Sequence, residues 1–255
     1  MSYFHAIIIA VVEGITEFLP ISSTGHMILT ADLLKLEYSK FLSTFEISIQ
    51  LGAILAVIYL YWKKLFIGIE IWKKIIVAFL PSAILGFTFY PMIKKMLEGN
   101  TVVLWSLFLG GIVLIIFELW YKERETDISE VENISYKQSF IVGLYQCIAM
   151  IPGVSRSAAT IIGGLTQRMK RKTIIEFSFL LAIPTMGAAT GYDLLKNASA
   201  FNIDQLLLLF TGFIISFFVA IISIKFLLSL VKKYTFIGFG VYRIIIAIVF
   251  WFFIS

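Results

Sequence analysis

Charge and cysteine are the two things this sequence has little of. Charged residues make up 15% of the 255 positions, whereas soluble domains carry about 25%. Hydrophobic residues make up 60% and the mean hydropathy is +0.95, which excludes both a soluble globular domain and a disordered chain. Cys147 is the only cysteine, which excludes a scaffold held by disulfide bonds within the chain. The composition indicates an integral membrane protein, in which every charge outside a loop needs a specific explanation.

Six apolar stretches are long enough to cross a membrane. The hydrocarbon core of a bilayer is about 30 Å thick and takes about 20 helical residues to span. We predict transmembrane helices at approximately 43–62, 75–93, 102–121, 173–192, 205–230 and 236–254. The acidic and basic stretch 122–137 is predicted to be a solvated connector.

Two further apolar regions, 3–34 and 138–166, are interrupted near their middle. A proline and a cluster of polar residues break each of them, at Pro20–His26 and at Pro152–Ser157. Non-helical backbone at membrane depth is tolerated only where protein buries it or where it lines a wet cavity. We therefore predict two re-entrant helical hairpins, each returning to the side from which it entered.

The two halves of the chain resemble one another. An offset of 132 residues aligns Pro20 with Pro152 and Ser23 with Ser155, and it superposes the four apolar blocks of each half without a gap. Each half holds one hairpin and three crossings, so the second half begins on the opposite face of the membrane. We predict an all-α polytopic membrane protein, a single integral membrane domain over 1–255 in which repeats 1–121 and 133–255 are related by inverted topology. The polar tips of the two hairpins are then expected to meet near the midplane.

Basic residues are unevenly distributed between the predicted loops. The side that holds 63–74, 122–137, 167–172 and 231–235 carries 13 lysines and arginines, and the other side carries 5, namely Lys35, Lys40, Lys94, Lys95 and Lys196. The positive-inside rule places the first side in the cytoplasm. Both termini and the mouth of the first hairpin are then predicted to face outward.

Glu13 and Glu17 lie four residues apart in the first interrupted region, so they share one face of a helix. An acidic side chain at membrane depth is costly and is by default a sign of function. Two neighbouring carboxylates repel each other, and a bridging Mg²⁺ or Ca²⁺ would relieve that repulsion through the oxygen ligands these cations prefer. Capping of nearby backbone, or exposure to an aqueous vestibule, is the alternative explanation.

The first polar cluster, Ser22-Ser23-Thr24-Gly25-His26, precedes an apolar run from Met27. Serine or threonine just before a helix is typical of an N-cap. A cap needs one hydroxyl, whereas three are present, followed by a histidine that can shuttle protons near neutral pH. The free N–H groups of such a helix start favour an anion.

The second polar cluster supplies a positive charge, because Arg156 lies at the start of a predicted helix between Ser155 and Ser157. A guanidinium binds phosphate oxygens bidentately and keeps its charge. A structural ion pair with Glu13 or Glu17 is the alternative. Together the two tips offer carboxylates for a metal, hydroxyls, an imidazole and an arginine, a combination that suits phosphoryl transfer.

Two stretches resemble the signatures of the undecaprenyl-diphosphate phosphatase (bacitracin-resistance) family. Residues 13–26, from Glu13 to His26, are similar to its first signature, and residues 152–160 are similar to its second, with Ala158 where many members have glycine. The resemblance covers essentially the whole chain. It implies that Glu13 and Glu17 are the acidic pair linked to divalent-metal dependence, that Ser23 is the nucleophile, that His26 is the acid/base and that Arg156 binds the diphosphate. It also implies supporting, substrate-binding positions at Ser22, Thr24, Gly25, Ser155 and Ser157.

The same resemblance implies an activity: removal of the terminal phosphate of undecaprenyl diphosphate at the outer face of the bacterial cell (inner) membrane. The product, undecaprenyl phosphate, would re-enter carrier-lipid use in cell-wall synthesis, and the activity would confer bacitracin resistance. The implied partners are the polyprenyl diphosphate lipid and the bilayer, with no nucleic acid. The oligomeric state stays open, and a homodimer is one option.

The residues leave several choices open. Ser23 can attack phosphorus to form a phospho-enzyme, or a metal can activate water directly. The base for Ser23 can be His26, three residues further on, or Glu17. A transporter is the rival function, since inverted repeats and broken helices are common in transporters. A type-2 phosphatidic-acid phosphatase is excluded, because residues 157–165 lack the histidine nucleophile of that class.

Three further polar residues inside predicted crossings or hairpins have predicted roles. Arg243 is expected either to pair with an internal carboxylate or carbonyl or to help hold substrate. Gln50 and Gln146 are predicted to form hydrogen bonds between helices. Gln146 is also close enough in sequence to the second polar cluster to contact the site.

Overall fold

The computed structural model describes residues 1–37, 39–89, 92–93, 96, 100–197 and 203–254, and most of these residues are helical. Ten α-helices have defined bounds there: α1 Tyr3–Thr16, α2 Ser23–Leu33, α3 Lys40–Ile67, α4 Ile69–Thr88, α5 Asn100–Trp120, α6 Tyr136–Ile148, α7 Arg156–Thr166, α8 Arg171–Asn197, α9 Ile203–Leu230 and α10 Ile237–Ile254. One turn of 3₁₀-helix lies at Val131–Asn133. The all-α fold class is confirmed for these residues.

Five helices are long and apolar enough to cross a bilayer, so the chain is a multi-pass membrane protein. Their spans are Phe41–Phe66, Ile69–Thr88, Asn100–Trp120, Arg171–Gly191 and Ile203–Leu230. The sixth predicted span, 236–254, is also helical, but its described apolar part, Ile237–Phe252, is shorter. The predicted span 75–93 includes positions 90 and 91, which lie outside the described residues. The same holds for Lys94 and Lys95 and for the side chains of Lys40 and Lys196.

The predicted loop at 63–74 is wrong, because this stretch is almost entirely helical. Helix α3 continues to Ile67 and α4 begins at Ile69, so only Gly68 separates them. Lys63 and Lys73 are exposed, and a lysine near a helix end can keep its ammonium group in water while the backbone stays helical. Lys74 is buried, and its ammonium group donates to the Glu132 carbonyl at 2.6 Å. The charge pattern therefore marks a membrane boundary here and not a loop.

The connector at 122–137 is anchored to the body of the protein more firmly than a solvated loop would be. Ile128 exchanges backbone hydrogen bonds of 2.9 Å with Arg168 and Lys170. Tyr121 donates to Asp127 at 3.0 Å, and the Asp127 side chain is buried. Burial, together with the bond to Asp127, raises the pKa of Tyr121, which keeps its proton as the donor.

Both interruptions expected from the sequence are present. Helices α1 and α2 have 14 and 11 residues, and α6 and α7 have 13 and 11, so each is too short to span a bilayer alone. We call residues 17–26, which include the start of α2, tip 1, and residues 149–157, which include the start of α7, tip 2. The tips join α1 to α2 and α6 to α7.

The helix contacts follow one pattern in the two halves. Helix α1 packs on α9, as α6 packs on α4, and α3 packs on α9, as α8 packs on α4. Helices α5 and α10 pack on each other, as do α3 and α8. Glycines permit the close hairpin contacts, because a Cβ on Gly14 would overlap α9 and a Cβ on Gly143 would overlap the backbone of Ala78 in α4. This packing brings both tips into the interior.

Candidate active site

Tip 1 presents a serine at the first position of a helix. Ser22 is the N-cap of α2, and its Oγ accepts a hydrogen bond from the Gly25 N–H at 3.3 Å. Its φ of 73° is unfavourable for a residue with a side chain. Ser23 follows as the first residue of α2 and is buried, and Thr24, the next residue, is partly exposed. Gly25 therefore contributes its N–H to the cap.

Tip 2 repeats this local geometry with different chemistry. Ser155, with a φ of 78°, caps α7, and its Oγ accepts from the Ala158 N–H at 3.3 Å. The first residue of α7 is Arg156. The two cap serines are 133 residues apart, so the offset of 132 does not superpose the caps. Ser23 and Arg156 consequently occupy matching positions, one after each cap.

The two tips meet, as the sequence predicts. The Ser157 hydroxyl donates to the backbone carbonyl of Leu19 at 2.8 Å, and it also lies 3.1 Å from the Ser155 hydroxyl. Arg156 Nη2 donates to Glu17 Oε1 at 3.1 Å, an ion pair between side chains that are 11% and 7% exposed. The ion pair considered as the alternative for Arg156 is thus present, and it joins two of the predicted site residues.

Glu17, and not His26, is the partner of the Ser23 hydroxyl. Ser23 Oγ donates to Glu17 Oε2 in a short hydrogen bond. His26 uses both ring nitrogens elsewhere: Nδ1 lies 2.7 Å from the Ser22 carbonyl oxygen, and Nε2 lies 2.9 Å from the Tyr242 hydroxyl. Since a carbonyl only accepts, Nδ1 carries a proton. Of the two bases left open by the sequence, Glu17 is the one whose carboxylate contacts the Ser23 hydroxyl in this structure.

Arg156 is held by helix α8 and keeps an unused donor. Its Nη1 donates to the Ser178 carbonyl at 2.8 Å, and the Ser178 hydroxyl lies 2.7 Å from that of Thr160. Its Nε is buried and has no hydrogen-bond partner among the described residues. Sequence reasoning missed Ser178, although a serine inside the predicted span 173–192 was a usable signal. Arg156 therefore retains an unpartnered donor within the site.

Glu13 is a buried carboxylate without compensation by hydrogen bonds. Its side chain is 0% exposed, and neither oxygen has a hydrogen-bond partner among the described residues. The titratable groups near it are Glu17, Arg156 and Glu46 of α3. Capping of backbone does not explain it. Sequence reasoning also missed Glu46, a carboxylate inside the predicted span 43–62.

The chain matches a known protein family over nearly its whole length. The family model described as bacitracin resistance protein BacA matches residues 6–249. The chain belongs to this family.

Curated relatives match along nearly the whole chain. Undecaprenyl-diphosphatase from Wolinella succinogenes is 49% identical over 255 residues, covering 100% of this chain and 99% of the relative. The Aquifex aeolicus protein of the same name is 50% identical over 251 residues, covering 98% of each chain. That from Persephonella marina is 48% identical over 254 residues, covering 100% of both.

The donor set at Glu13 and Glu17 fits a hard divalent cation that keeps other ligands. No group of three or more His, Cys, Asp or Glu side chains is arranged for a metal within the described ranges. Mg²⁺ is usually bound through one or two carboxylates together with waters and substrate phosphates. The unpartnered Glu13 oxygens suit that role in this family member.

Two polar residues outside the tips have defined partners. Gln146 donates to the Ser82 hydroxyl at 2.7 Å and accepts from Thr185 at 3.3 Å, which confirms its predicted role between helices. Arg243 is completely buried, and all of its hydrogen-bond partners among the described residues are backbone carbonyls. Pairing with a carbonyl was one of its predicted roles.

Proposed function

We propose that this chain hydrolyses undecaprenyl diphosphate to undecaprenyl phosphate and inorganic phosphate. The observation that carries the proposal is the Glu17 carboxylate, which accepts from the Ser23 hydroxyl of α2 and pairs with Arg156 of α7. The proposed nucleophile Ser23 and the phosphate-binding Arg156 therefore both contact the proposed base, Glu17. The name undecaprenyl-diphosphatase, carried by relatives matched along their whole length, supports the same substrate.

Ser23 is the nucleophile in this proposal. Arg156 binds oxygens of the diphosphate through its guanidinium, which the Ser178 carbonyl keeps in place. Ser23 Oγ attacks the terminal phosphorus as its proton passes to Glu17 Oε2, and the bond from that phosphorus to the bridging oxygen breaks. Undecaprenyl phosphate leaves with the bridging oxygen. Water then hydrolyses the phosphoserine to inorganic phosphate and restores the hydroxyl.

His26 has a supporting role in this scheme. It lies one turn along α2 from Ser22, whose carbonyl accepts from Nδ1, and it links the helix start to Tyr242 of α10. The histidine therefore orients the tip and does not take the Ser23 proton directly. Ser22, Thr24, Gly25, Ser155 and Ser157 build the two helix starts around the phosphate.

A divalent cation, Mg²⁺ or Ca²⁺, belongs to the proposed site, with Glu13 and Glu17 as its protein ligands. When bound, it would neutralise phosphate charge and polarise the phosphorus centre. The local charges favour this assignment. Arg156 offsets the negative charge of Glu17, whereas Glu13 has no partner among the described residues. A cation beside Glu13 would offset its charge next to the proposed phosphate site.

The direct experiment is phosphate release from a polyprenyl diphosphate by the purified protein in detergent. We expect release that a chelator abolishes and that added Mg²⁺ or Ca²⁺ restores. An Arg156→Ala variant should lose the activity, and a variant that keeps full activity would refute the two-tip site. Rapid quenching should trap phosphoserine at position 23, and its absence with hydrolysis of the intermediate slowed would favour metal-activated water.

The proposed topology has six crossings and two re-entrant hairpins, with an inverted repeat and the active site open to the outer face of the cell membrane. The shared packing pattern of the two halves and the excess of lysine and arginine on one side support it. In that orientation the enzyme recycles the lipid carrier for cell-wall synthesis and confers bacitracin resistance. A cysteine at Ser129 in a Cys147→Ala background should be labelled only from the cytoplasm, and labelling from outside would reverse the orientation.

A further inference from the structure

Arg243 of α10 uses every donor it has on the backbone around the active site. A guanidinium carries five N–H donors in a planar fork. Five carbonyls receive them, at 2.9 to 3.3 Å, and these belong to Pro20 in tip 1, to Gly153 and Val154 in tip 2, and to Ser106 and Leu107 in α5. One side chain therefore joins both tips to a transmembrane helix.

The hydrogen-bond partners of Arg243 indicate that it holds backbone groups in place. Its side chain is 0% exposed, and none of its hydrogen-bond partners is a carboxylate. A buried charge without a counter-ion is costly, and an apolar residue of similar volume is often as stabilising. What an apolar residue cannot do is hold several carbonyl groups in one plane at fixed spacing.

The neighbouring helix leaves room for this arrangement. A Cβ on Gly110 of α5 would overlap Nη2 of Arg243, and a Cβ on Gly111 would lie 3.2 Å from its Cβ. The guanidinium can therefore lie against the α5 backbone, between this helix and the tips.

The clamped carbonyls lie just before the two strained caps. Pro20 is two residues before Ser22, and Val154 directly precedes Ser155. Both serines have φ near +75°, at 73° and 78°, a conformation that persists only where the surroundings hold it. The residues that follow the caps are Ser23 and Arg156, so a shift of either tip displaces the nucleophile relative to the cation.

We propose that Arg243 is a positioning residue that fixes the two tips relative to each other, so that Ser23 and Arg156 act on the same phosphate. The inference rests on the proposed phosphatase function and extends it to a residue of α10. Tyr242 adds to this anchoring, because its hydroxyl lies 2.9 Å from His26 Nε2 in α2.

The first test compares kcat in the purified full-length chain. Arg243→Met removes all five donors, and Arg243→Lys keeps the charge with three donors. Because a 1 Å misplacement can cost about 100-fold in rate, we expect kcat of the folded protein to fall about 10- to 100-fold, less for lysine than for methionine. Gly110→Ala displaces the guanidinium without changing Arg243, and it should lower kcat in the same direction.

Arg171→Met is the matched control for stability. Arg171 pairs with the buried Glu118 and with Glu123 at the predicted cytoplasmic end of the bundle, away from both tips. This variant should lower the melting temperature and leave kcat of the folded protein unchanged. The proposal is overturned if Arg243→Lys and Gly110→Ala keep kcat within about twofold of the parent value. It is also overturned if, at equal melting temperature, their loss of kcat is no larger than that of Arg171→Met.

A second test needs no substrate. Spin labels at Ile15→Cys in α1 and Ile148→Cys in α6, both exposed positions, report the distance between the hairpins in a Cys147→Ala background. We expect Arg243→Lys and Gly110→Ala to broaden or shift the distance distribution, while Arg171→Met leaves it unchanged. An unaltered distribution refutes the positioning role. If the parent protein does not release phosphate, the proposed function is refuted. The distance measurement then still tests whether Arg243 positions the two tips.

Discussion

Glu17→Gln separates charge from shape at the centre of the proposed site. The glutamine keeps the volume of the side chain, but it cannot take the Ser23 proton, and it places an amide beside Arg156. A general base contributes about 10²- to 10⁴-fold to the rate, which corresponds to about 3 to 5 kcal/mol of activation free energy. We expect kcat to fall by that factor.

The variant also weakens the protein, and the two effects can be distinguished. Glu17 accepts one hydrogen bond from Ser23 and one from Arg156, and hydrogen bonds to a charged group contribute about 1.5 to 3 kcal/mol each. Glu118→Gln is the matched control, since Glu118 is also buried and paired with an arginine, Arg171. It should lower the melting temperature and leave kcat unchanged.

The assay is phosphate release at saturating polyprenyl diphosphate, measured for Glu17→Gln, Ser23→Ala and the double variant. If Glu17 acts by accepting the Ser23 proton, the double variant should be about as slow as Ser23→Ala alone, because residues that act as a unit are not additive. Full additivity of the two losses, or a Glu17→Gln enzyme within about tenfold of the parent, would refute Glu17 as the base.

Three further substitutions test other parts of the molecule. Glu13→Gln should raise the Mg²⁺ concentration needed for half-maximal activity about tenfold or more, and an unchanged metal titration would remove Glu13 from the metal site. Gly52→Ala should lower the free energy of unfolding by about 1 to 3 kcal/mol in a denaturation series, because the new methyl overlaps the α9 backbone at Phe213. The control Gly187→Ala, with open space around it, should be neutral or stabilising. Gln146→Leu should cost about 0.6 to 2 kcal/mol of stability with kcat unchanged, and a large loss of kcat would assign it to the site.

Local features of the sequence predicted most of the architecture. Apolar length located the crossing helices, and the proline with its polar cluster located each break, because both signals act over short distances in the chain. The end of α3 was mispredicted, since Lys63 and Lys64 continue a helix as readily as they end one. The residues of the two tips were predicted individually, and their meeting followed from the repeat.

The contacts within the site were less predictable. Ser23 and His26 share a helix, which suggested a pair, but the strained φ of Ser22 leaves the Ser23 hydroxyl on Glu17 and the imidazole on Tyr242. No local pattern reports such an arrangement. Ser178, Glu46 and Tyr242 come from helices distant in sequence, so only the packed structure reveals that they lie near the tips.

The position of Arg243 late in the chain has a consequence for folding during synthesis. Pro20, Gly153 and Val154 are all translated before Arg243, which lies in the last of the described helices. A nascent chain that has inserted both hairpins still lacks the side chain that binds backbone carbonyls of both tips. If the positioning role is correct, a partly inserted chain should act on the lipid carrier more slowly than the complete protein, and the full rate should be reached only when α10 joins α5.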